Sequence, residues 1–576
     1  MPADRGRVLL ALAAVAVAFA AADTYVVVLA LPDMMAGAGL SSDELQRATP
    51  LVSGFLLGYV AMLPLIGRIA DLRGRTPVLV GSLVVFAVGS LVTAAAYDLP
   101  TMVIGRLLQG VGAGGLVPAT LALVADHWPP ERRGLPLGVV GAVQELGAVL
   151  GPLLGAVVLA VADWRAIFWL NLAVGLLLAA ALTSTTPRPA AQRGPADWVG
   201  GALAAVALAA LGVLMRRPET LVTDVTLGRA FLPVAGGSRW ATPLALLAYA
   251  LAVAFVVRQL TARRSLLSWR EWRTVVSRTD VLGAALLALT LGGIVVAFAS
   301  ADPEVAALDD SGPWWLLAAA VGALAFGWRQ RRSAHPLIPP GSLRPPAAWG
   351  AVAVSFLVGA ALIAALVDIP FFARLTVAGD SQLEAALVLV RFLAALPVGA
   401  VLGGVLTRRV APGPVTALGM ALAAAGFGVM ATWDATALLS PTSTVPLVLA
   451  GLGFGLALAP VSAALLAATD PAVHGVTSAL LVVARMMGML VGIAVLTDLG
   501  LRRFYALADA IPPARQLCPA DPTSCPEYGD RLRAAGLAQL EVVFVGAAVA
   551  ATLAAVLALV VFGGAAQRRH TAGTVG

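Results

Sequence analysis

The chain has 576 residues, of which 60% are hydrophobic and only 12% charged, and its mean hydropathy is +0.92. Soluble domains carry roughly 25% charged residues, and a water-soluble fold of this length has too little interior to hide so much apolar surface, so the composition excludes one. The net charge of +7 rests on arginine alone, because the sequence contains no lysine; the arginines lie in short segments between apolar runs, which excludes a nucleic-acid arm, and the missing lysine excludes a Walker phosphate loop.

A membrane span needs about 20 mostly apolar residues. The first such run, 8–32, follows Met1-Pro-Ala-Asp-Arg-Gly-Arg. It is too long for a signal-peptide core and has no clear small-x-small cleavage site, so it is read as a retained first span. Further runs fall near 49–70, 76–97, 101–125, 134–160 and 164–184, completing a first set of six. A second set of six falls near 347–370, 382–406, 412–433, 444–467, 475–500 and 538–563. Between the sets, shorter runs lie near 197–215, 240–258, 280–300 and 313–328. The reading is an all-α polytopic membrane protein with about fourteen to sixteen spans by this length rule. It has an N-terminal six-helix bundle (1–190), inserted linker helices (191–340) and a C-terminal six-helix bundle (341–576).

The linker reads as a helix pair copied once. Asp197-Trp-Val-Gly200 opens one run and Asp280-Val-Leu-Gly283 another; Pro218-Glu219 follows the first and Pro303-Glu304 the second. A tryptophan-led run comes next in each, at Trp240 and at Trp314-Trp315. Chance likeness of apolar helices is the competing account. Arginine counting places both termini in the cytoplasm, since most arginines then fall in inside segments. The loop 216–239, with four arginines outside, breaks the trend, and the outside loop 301–313 is acidic. Cys518 and Cys525 share the last outside loop, where an oxidising compartment favours a disulfide over two free thiols.

Ionisable groups inside spans are costly and mark function by default. Asp23 in the first span, Arg106 in the fourth, Glu145 in the fifth and Arg485 in the fifteenth are the four that stand out. Glu145 and Arg485 each lie about ten residues from the inner edge, near the bilayer midplane at ~1.5 Å per residue. A pair between them would bridge the two halves, either as a proton-sensitive latch, because burial disfavours an unpaired carboxylate, or as a static buried pair. Asp368, near the outer end of its span, is a further candidate, with a solvated helix-end carboxylate as the plain alternative. Glycines at four-residue spacing, Gly147, Gly151 and Gly155, put small residues on one helix face, and Pro152 loosens that helix locally. No cluster of metal-ligand residues is present, and the four histidines are scattered.

Gly67-Arg-Ile-Ala-Asp71-Leu-Arg73-Gly74-Arg75 resembles the cytoplasmic signature of the major facilitator superfamily. Arg106-Leu-Leu-Gln109-Gly110-Val-Gly112 resembles that family's fourth-span motif, and Gly147-Ala-Val-Leu-Gly151-Pro152-Leu-Leu-Gly155 its antiporter motif, with Ala156 in place of the usual final glycine. A weaker echo of the signature, Gly403-Gly404 before Arg408-Arg409, lacks the aspartate. Asp23-Thr-Tyr25-Val-Val-Val28 is similar to the first-span motif of the fourteen-span drug:proton antiporter branch. There Tyr25 and Val28 replace the usual threonine and asparagine. Trp164-Arg165-Ala-Ile-Phe168 and His335-Pro-Leu-Ile-Pro also fit that branch. Together with Gln144-Glu145-Leu-Gly, Val367-Asp368 and Ala484-Arg485-Met-Met-Gly, these segments look most like the mycobacterial exporters of drugs and triacylglycerides that work with a lipid-carrying lipoprotein.

The resemblance implies a gate at Asp71, Arg73 and Arg75, proton coupling through Asp23 with Arg106, and a latch through Glu145 with Arg485. It implies a proton-driven exporter of apolar or amphiphilic molecules in the cytoplasmic membrane. No cofactor is expected beyond the proton gradient, and a monomer is expected, with an extracytoplasmic lipoprotein as the candidate partner. Drug and lipid substrates remain alternatives. A membrane transferase would be expected to gather acidic, His or Cys residues at one membrane face, and His127 beside Trp128 is read as an interfacial tether. A non-transporting scaffold or sensor gives no reason for midplane charges in both halves.

Overall fold

The computed structural model describes residues 3–40, 45–48, 50–185, 197–234, 237–262, 269–299, 311–378, 381–519 and 525–572. The acidic loop at 301–313 falls largely outside this description, as do Arg188, Arg193, Arg263 and Arg264, and likewise the side chains of Tyr25, Val28 and Pro152.

Helices follow from the solvent. In lipid each backbone N–H and C=O must be satisfied within its own segment, and among the described residues no strand occurs. The first six long helices are α1 (Ala3–Gly37), α2 (Pro50–Arg73), α3 (Arg75–Ala94), α4 (Leu99–Gly114, continued by Leu116–His127), α5 (Gly134–Val161) and α6 (Arg165–Thr185). The linker holds α7 (Trp198–Arg216), α8 (Pro243–Thr261), α9 (Val281–Ala299) and α10 (Gly312–Arg332). The last six are α11 (Pro346–Ala373), α12 (Gln382–Leu406), α13 (Pro412–Met430), α14 (Thr444–Ala468), α15 (His474–Ala508) and α16 (Pro526–Ala572). Among the described residues, 14 helices are long and apolar enough to cross a membrane; the chain is a multi-pass integral membrane protein. The break in α4 falls at Gly115, three residues before Pro118, whose ring removes a backbone donor from the helix ladder.

Two helices outrun their apolar stretches. The sequence suggests spans near 475–500 and 538–563, but α15 runs on to Ala508 and α16 starts at Pro526. The added turns are polar and carry local ion pairs, Arg502–Asp498 at 2.8 Å, Arg531–Glu527 at 2.7 Å and Arg533–Asp530 at 3.5 Å. Such (i, i+4) and (i, i+3) pairs support a helix in water, where hydropathy gives no signal.

Packing places α4 in the middle of the first group and leaves the linker at the rim: in an 18-residue apolar stretch of each helix, 83% is buried in α4 against 17% in α8. A Cβ on Gly110 would lie 2.0 Å from the Phe55 carbonyl of α2, and one on Gly112 would lie 2.4 Å from Phe86 N of α3. The glycines of α4 thus face two neighbours, and both can approach to backbone contact. One apolar core is built wholly from 347–562, centred on Phe372, Phe392, Phe427, Phe454 and Phe544. Another joins α1 to α5 with Ala479, Val482, Val483 and Met487 of α15, so apolar packing crosses between the first and last helix groups.

Candidate functional site

Three polar constellations stand out in this apolar frame. The first lies inside the N-terminal helix group. Arg106 of α4 donates from Nη1 to Asp23 Oδ2 of α1 at 2.7 Å and to Gln109 Oε1 at 3.1 Å, and from Nε to the Leu51 carbonyl at 3.2 Å. Asn171 of α6 donates to the other oxygen of Asp23. Gln109 donates in turn to Ser90 Oγ at 2.9 Å, and Ser90 to the Phe86 carbonyl at 2.8 Å. The guanidinium lies 4.5 Å from the ring centroid of Phe55 and 5.9 Å from that of Phe168. Asp23 is 2% exposed and Arg106 1%. At such burial an unpaired charge would be expelled or neutralised; the surrounding donors and ring faces allow the pair to stay.

The second constellation joins the first and last helix groups at one end. Asp71, at the end of α2, accepts from Gly475 N at 2.7 Å and Val476 N at 2.9 Å, so it caps the N-terminus of α15 from the other half of the chain. Free N–H groups and the positive end of the helix dipole both favour a carboxylate there. Arg75 donates to Asp71 and to the Pro471 carbonyl at 3.0 Å, and its Nε lies 3.4 Å from Asp126. Gly74 sits at φ 99°, where a side chain would be strained, and turns the chain so that Asp71 and Arg75 meet. A Cβ on Gly67 would lie 2.5 Å from the Gly475 carbonyl, so the glycine is what lets α2 and α15 touch. His474 fixes the turn from behind, its Nε2 3.0 Å from the Leu466 carbonyl and 3.2 Å from that of Thr469. At the same end Gly134 and Gly138 of α5 pack against Gly404, Thr407 and Ala400 of α12. The echo motif thus keeps its close-packing glycine without an aspartate.

The third constellation is a cavity between the halves. Leu121 and Val140 contribute from the first group, and Leu458 and Val461 from the last; its polar lining is Gln144, Ser355, Ser462 and Arg485. Arg485 lines this cavity, while Glu145, next in sequence to the lining residue Gln144, is not part of its wall. Arg485 lies within electrostatic reach of Glu145, and both act on the Tyr59 hydroxyl. No hydrogen bond or ion pair joins Glu145 to Arg485 among the described residues. The two belong to different halves of the chain and interact through space.

The remaining residues singled out in the sequence separate from these sites. Asp368 is half-buried on α11 and makes no hydrogen bond or ion pair among the described residues. Gly147 and Gly151 meet the Ala18 and Ala22 carbonyls of α1, where a Cβ would come within 2.2 and 2.5 Å, and Gly155 is buried beyond them. The antiporter motif therefore presses α5 onto α1, the helix that carries Asp23. Arg73 stacks over Trp272, 5.7 Å from its ring centroid. Cys518 and Cys525 are joined in a disulfide with Cα atoms 5.6 Å apart. His127 bonds back to the Leu123 carbonyl at 3.0 Å and packs near Trp128.

Sequence reasoning missed Asn171, Ser90 and Asp126. Asn171 is the one that carried a signal, a lone amide within an apolar span (Phe168-Trp-Leu-Asn171-Leu). Ser90 and Asp126 offered none, because serine is ordinary in a helix and Asp126 falls at a helix end.

The Major Facilitator Superfamily profile matches residues 13–493. The triacylglyceride transporter of Mycolicibacterium hassiacum is 35% identical over 522 residues, covering 88% of this chain and 81% of that one. The triacylglyceride transporter of Mycobacterium tuberculosis H37Rv is 33% identical over 531 residues, covering 89% and 86%. Among solved structures, the human organic anion transporter MFSD10 aligns with a TM-score of 0.55 at 16% identity, over 97% of this chain and 100% of that one. The proton:xylose symporter XylE aligns at 0.54 and 13% identity, over 96% and 95%. Profile, relatives and fold agree: this chain belongs to the major facilitator superfamily and is a membrane transporter, not an enzyme.

Proposed function

We propose that the protein exports apolar lipids of the triacylglyceride class across the cytoplasmic membrane by alternating access, in exchange for protons. The observation that carries this reading is the cavity between the halves: its wall is aliphatic apart from Gln144, Ser355, Ser462 and Arg485, which suits acyl chains. The names of the mycobacterial relatives support the same substrate class. In this reading both termini are cytoplasmic, and so is the second latch, which Asp71 forms by capping α15. A closed latch then marks the outward-facing state of the cycle.

In this reading protons act at three places. Asp23 accepts from both Arg106 and Asn171. A proton on Asp23 cancels its pull on Arg106, which keeps Gln109 and the Leu51 carbonyl, and α1 is released from α4. Glu145 and Arg485 attract across the boundary when Glu145 is ionised; a proton on Glu145 removes that attraction and lets the halves part at the midplane. Asp368 is a third acceptor on the C-terminal side. Each tenfold of proton gradient supplies about 1.4 kcal/mol to this cycle. Because one chain contains both halves and the cavity, the working unit is a monomer. An extracytoplasmic lipoprotein that takes up the released lipid is the partner this chemistry calls for.

The test is transport in inverted proteoliposomes, with a fluorescent triacylglyceride and a cationic dye run in parallel, with and without an imposed pH gradient. Wild type should move the lipid in a gradient-dependent way, and Asp23→Asn should cut that movement at least about tenfold, as losing a charge-bearing coupling group does. Dye movement that exceeds lipid movement would turn the substrate class to drugs. Lipid movement that ignores the gradient and survives Asp23→Asn would overturn proton coupling.

A further inference from the structure

Between α8 and α9 lies a nine-residue helix, Trp269–Ser277, with the sequence WREWRTVVS. Val275 is buried and Trp272 half-buried, while Arg273 and Val276 are exposed, as is Arg278 just beyond the helix. The surrounding sequence is strongly basic. From 258 to 278 it carries Arg258, Arg263, Arg264, Arg270, Arg273 and Arg278 against a single acid, Glu271. Arg258 is committed to Asp197; Arg273 and Arg278 make no ion pair among the described residues. Val276 is 55% exposed in the midst of these arginines. A short helix with tryptophan and valine among arginines suits the plane of a membrane interface, where acyl chains meet the apolar residues and headgroups meet the cations. Clustered arginines next to spans favour anionic lipid.

This helix is tied to the latch. Trp272 carries the Arg73 guanidinium on its ring, and Arg73 ends the same helix, α2, whose Asp71 caps α15. We propose that the Trp269–Ser277 helix lies on the membrane surface at the latch end, binds anionic phospholipid headgroups through Arg273 and Arg278, and passes that binding to the latch through the Trp272–Arg73 stack. A helix drawn onto an anionic leaflet holds Trp272 under Arg73, keeps the last turn of α2 in place, and favours the closed latch. Neither the transported substrate nor proton coupling enters this inference.

Both cysteines of the chain are joined to each other, so introduced thiols can be labelled selectively. The first arm places a fluorophore at Val276→Cys in nanodiscs with brominated phosphatidylglycerol or brominated phosphatidylcholine at equal mole fraction. Quenching at least twofold greater by the anionic lipid is expected, and the added substitutions Arg273→Glu and Arg278→Glu should erase the difference. Equal quenching by both lipids would overturn headgroup recognition, and absence of quenching would overturn the surface placement. The second arm puts spin labels at Glu131→Cys and Arg409→Cys, both exposed at the latch end, one in each half. Anionic lipid should raise the short-distance population at least twofold, and Trp272→Ala should abolish that response. A response that persists in Trp272→Ala overturns the coupling, and so does a wild type that does not respond.

Discussion

The first linker hairpin, α7 with α8, and the second, α9 with α10, begin the same way. In each, an aspartate caps the first helix and takes an arginine from the end of the second. Asp197 accepts from Gly200 N at 3.0 Å and from Arg258 at 2.9 Å; Asp280 accepts from Gly283 N at 2.9 Å and from Arg329 at 3.1 Å. A Cβ on Gly200 or Gly283 would come within 2.3 or 2.7 Å of the capping carboxylate, which explains why glycine recurs three residues after the aspartate. The repeated motif is therefore a repeated lock. The surroundings differ. The first hairpin rests on α3 through a small cluster of Val92, Ala95 and Met215. It is also tied at one end by Arg239 over Tyr97, 3.4 Å from the ring centroid, and by Trp240 donating to the Tyr97 hydroxyl at 3.3 Å. That end explains two of the arginines that break the charge trend, since Arg217 also bonds the Phe231 carbonyl at 3.1 Å. The second hairpin lays α9 against both α2 and α15, one from each half, with Leu291 and Val295 in the core that crosses between them. The same local device thus serves a bystander of one half in the first copy and a bridge between halves in the second.

The largest expected effect comes from opening one hairpin and not the other. A Cβ on Gly293 would lie 2.8 Å from the Trp315 carbonyl and 3.1 Å from Ala319 Cβ, whereas nothing lies within 4 Å of one on Gly201. Gly293→Leu should lower lipid transport about tenfold through overpacking worth about 1–3 kcal/mol, and Gly201→Leu should leave it unchanged. Equal losses in both would break the distinction between bridge and bystander.

Removing the locks should have a middling effect. Asp197→Ala and Asp280→Ala each delete a cap worth about 1 kcal/mol, and the half-exposed arginines left behind lose little more. Thermal unfolding should shift by a similar few degrees in both variants, while transport falls only in Asp280→Ala. A transport defect confined to Asp197→Ala would reverse the comparison.

Acid should loosen the first hairpin in a narrow window. The Gly200 N–H, followed by Arg258, holds the Asp197 carboxyl below the usual carboxylate range, against the opposing effect of its burial. A lowered native value means the contribution is full above the unfolded value of about 3.9 and fades as pH falls through the lowered one. Hydrogen exchange at the start of α7, taken relative to its intrinsic rate at each pH, should stay flat from pH 7 to about pH 4 and rise only below that. A rise near neutral pH would show that Asp197 is not the lock.

The smallest effect belongs to Tyr97→Phe, which removes one hydrogen bond from Trp240. Under about 1 kcal/mol of stability and no transport should be lost. A measurable transport defect would make the first hairpin more than a passenger.

The amino-acid sequence alone determined what hydropathy and spacing encode: the long helices, the 6–4–6 grouping of apolar runs, the copied Asp-x-x-Gly starts, and the ionisable residues worth examining. Lipid solvation forces those features, because apolar length and internal backbone hydrogen bonding leave few alternatives. Tertiary structure alone decided the partners. Asn171 reaches Asp23 across 148 residues of chain and Asp71 caps a helix 404 residues away; no local pattern encodes such distances. The polar ends of α15 and α16 escaped hydropathy because ion pairs in water hold them. Hairpins with the same Asp-x-x-Gly start and the same arginine lock took different places because location depends on which surfaces remain uncovered, and only the packed structure contains that.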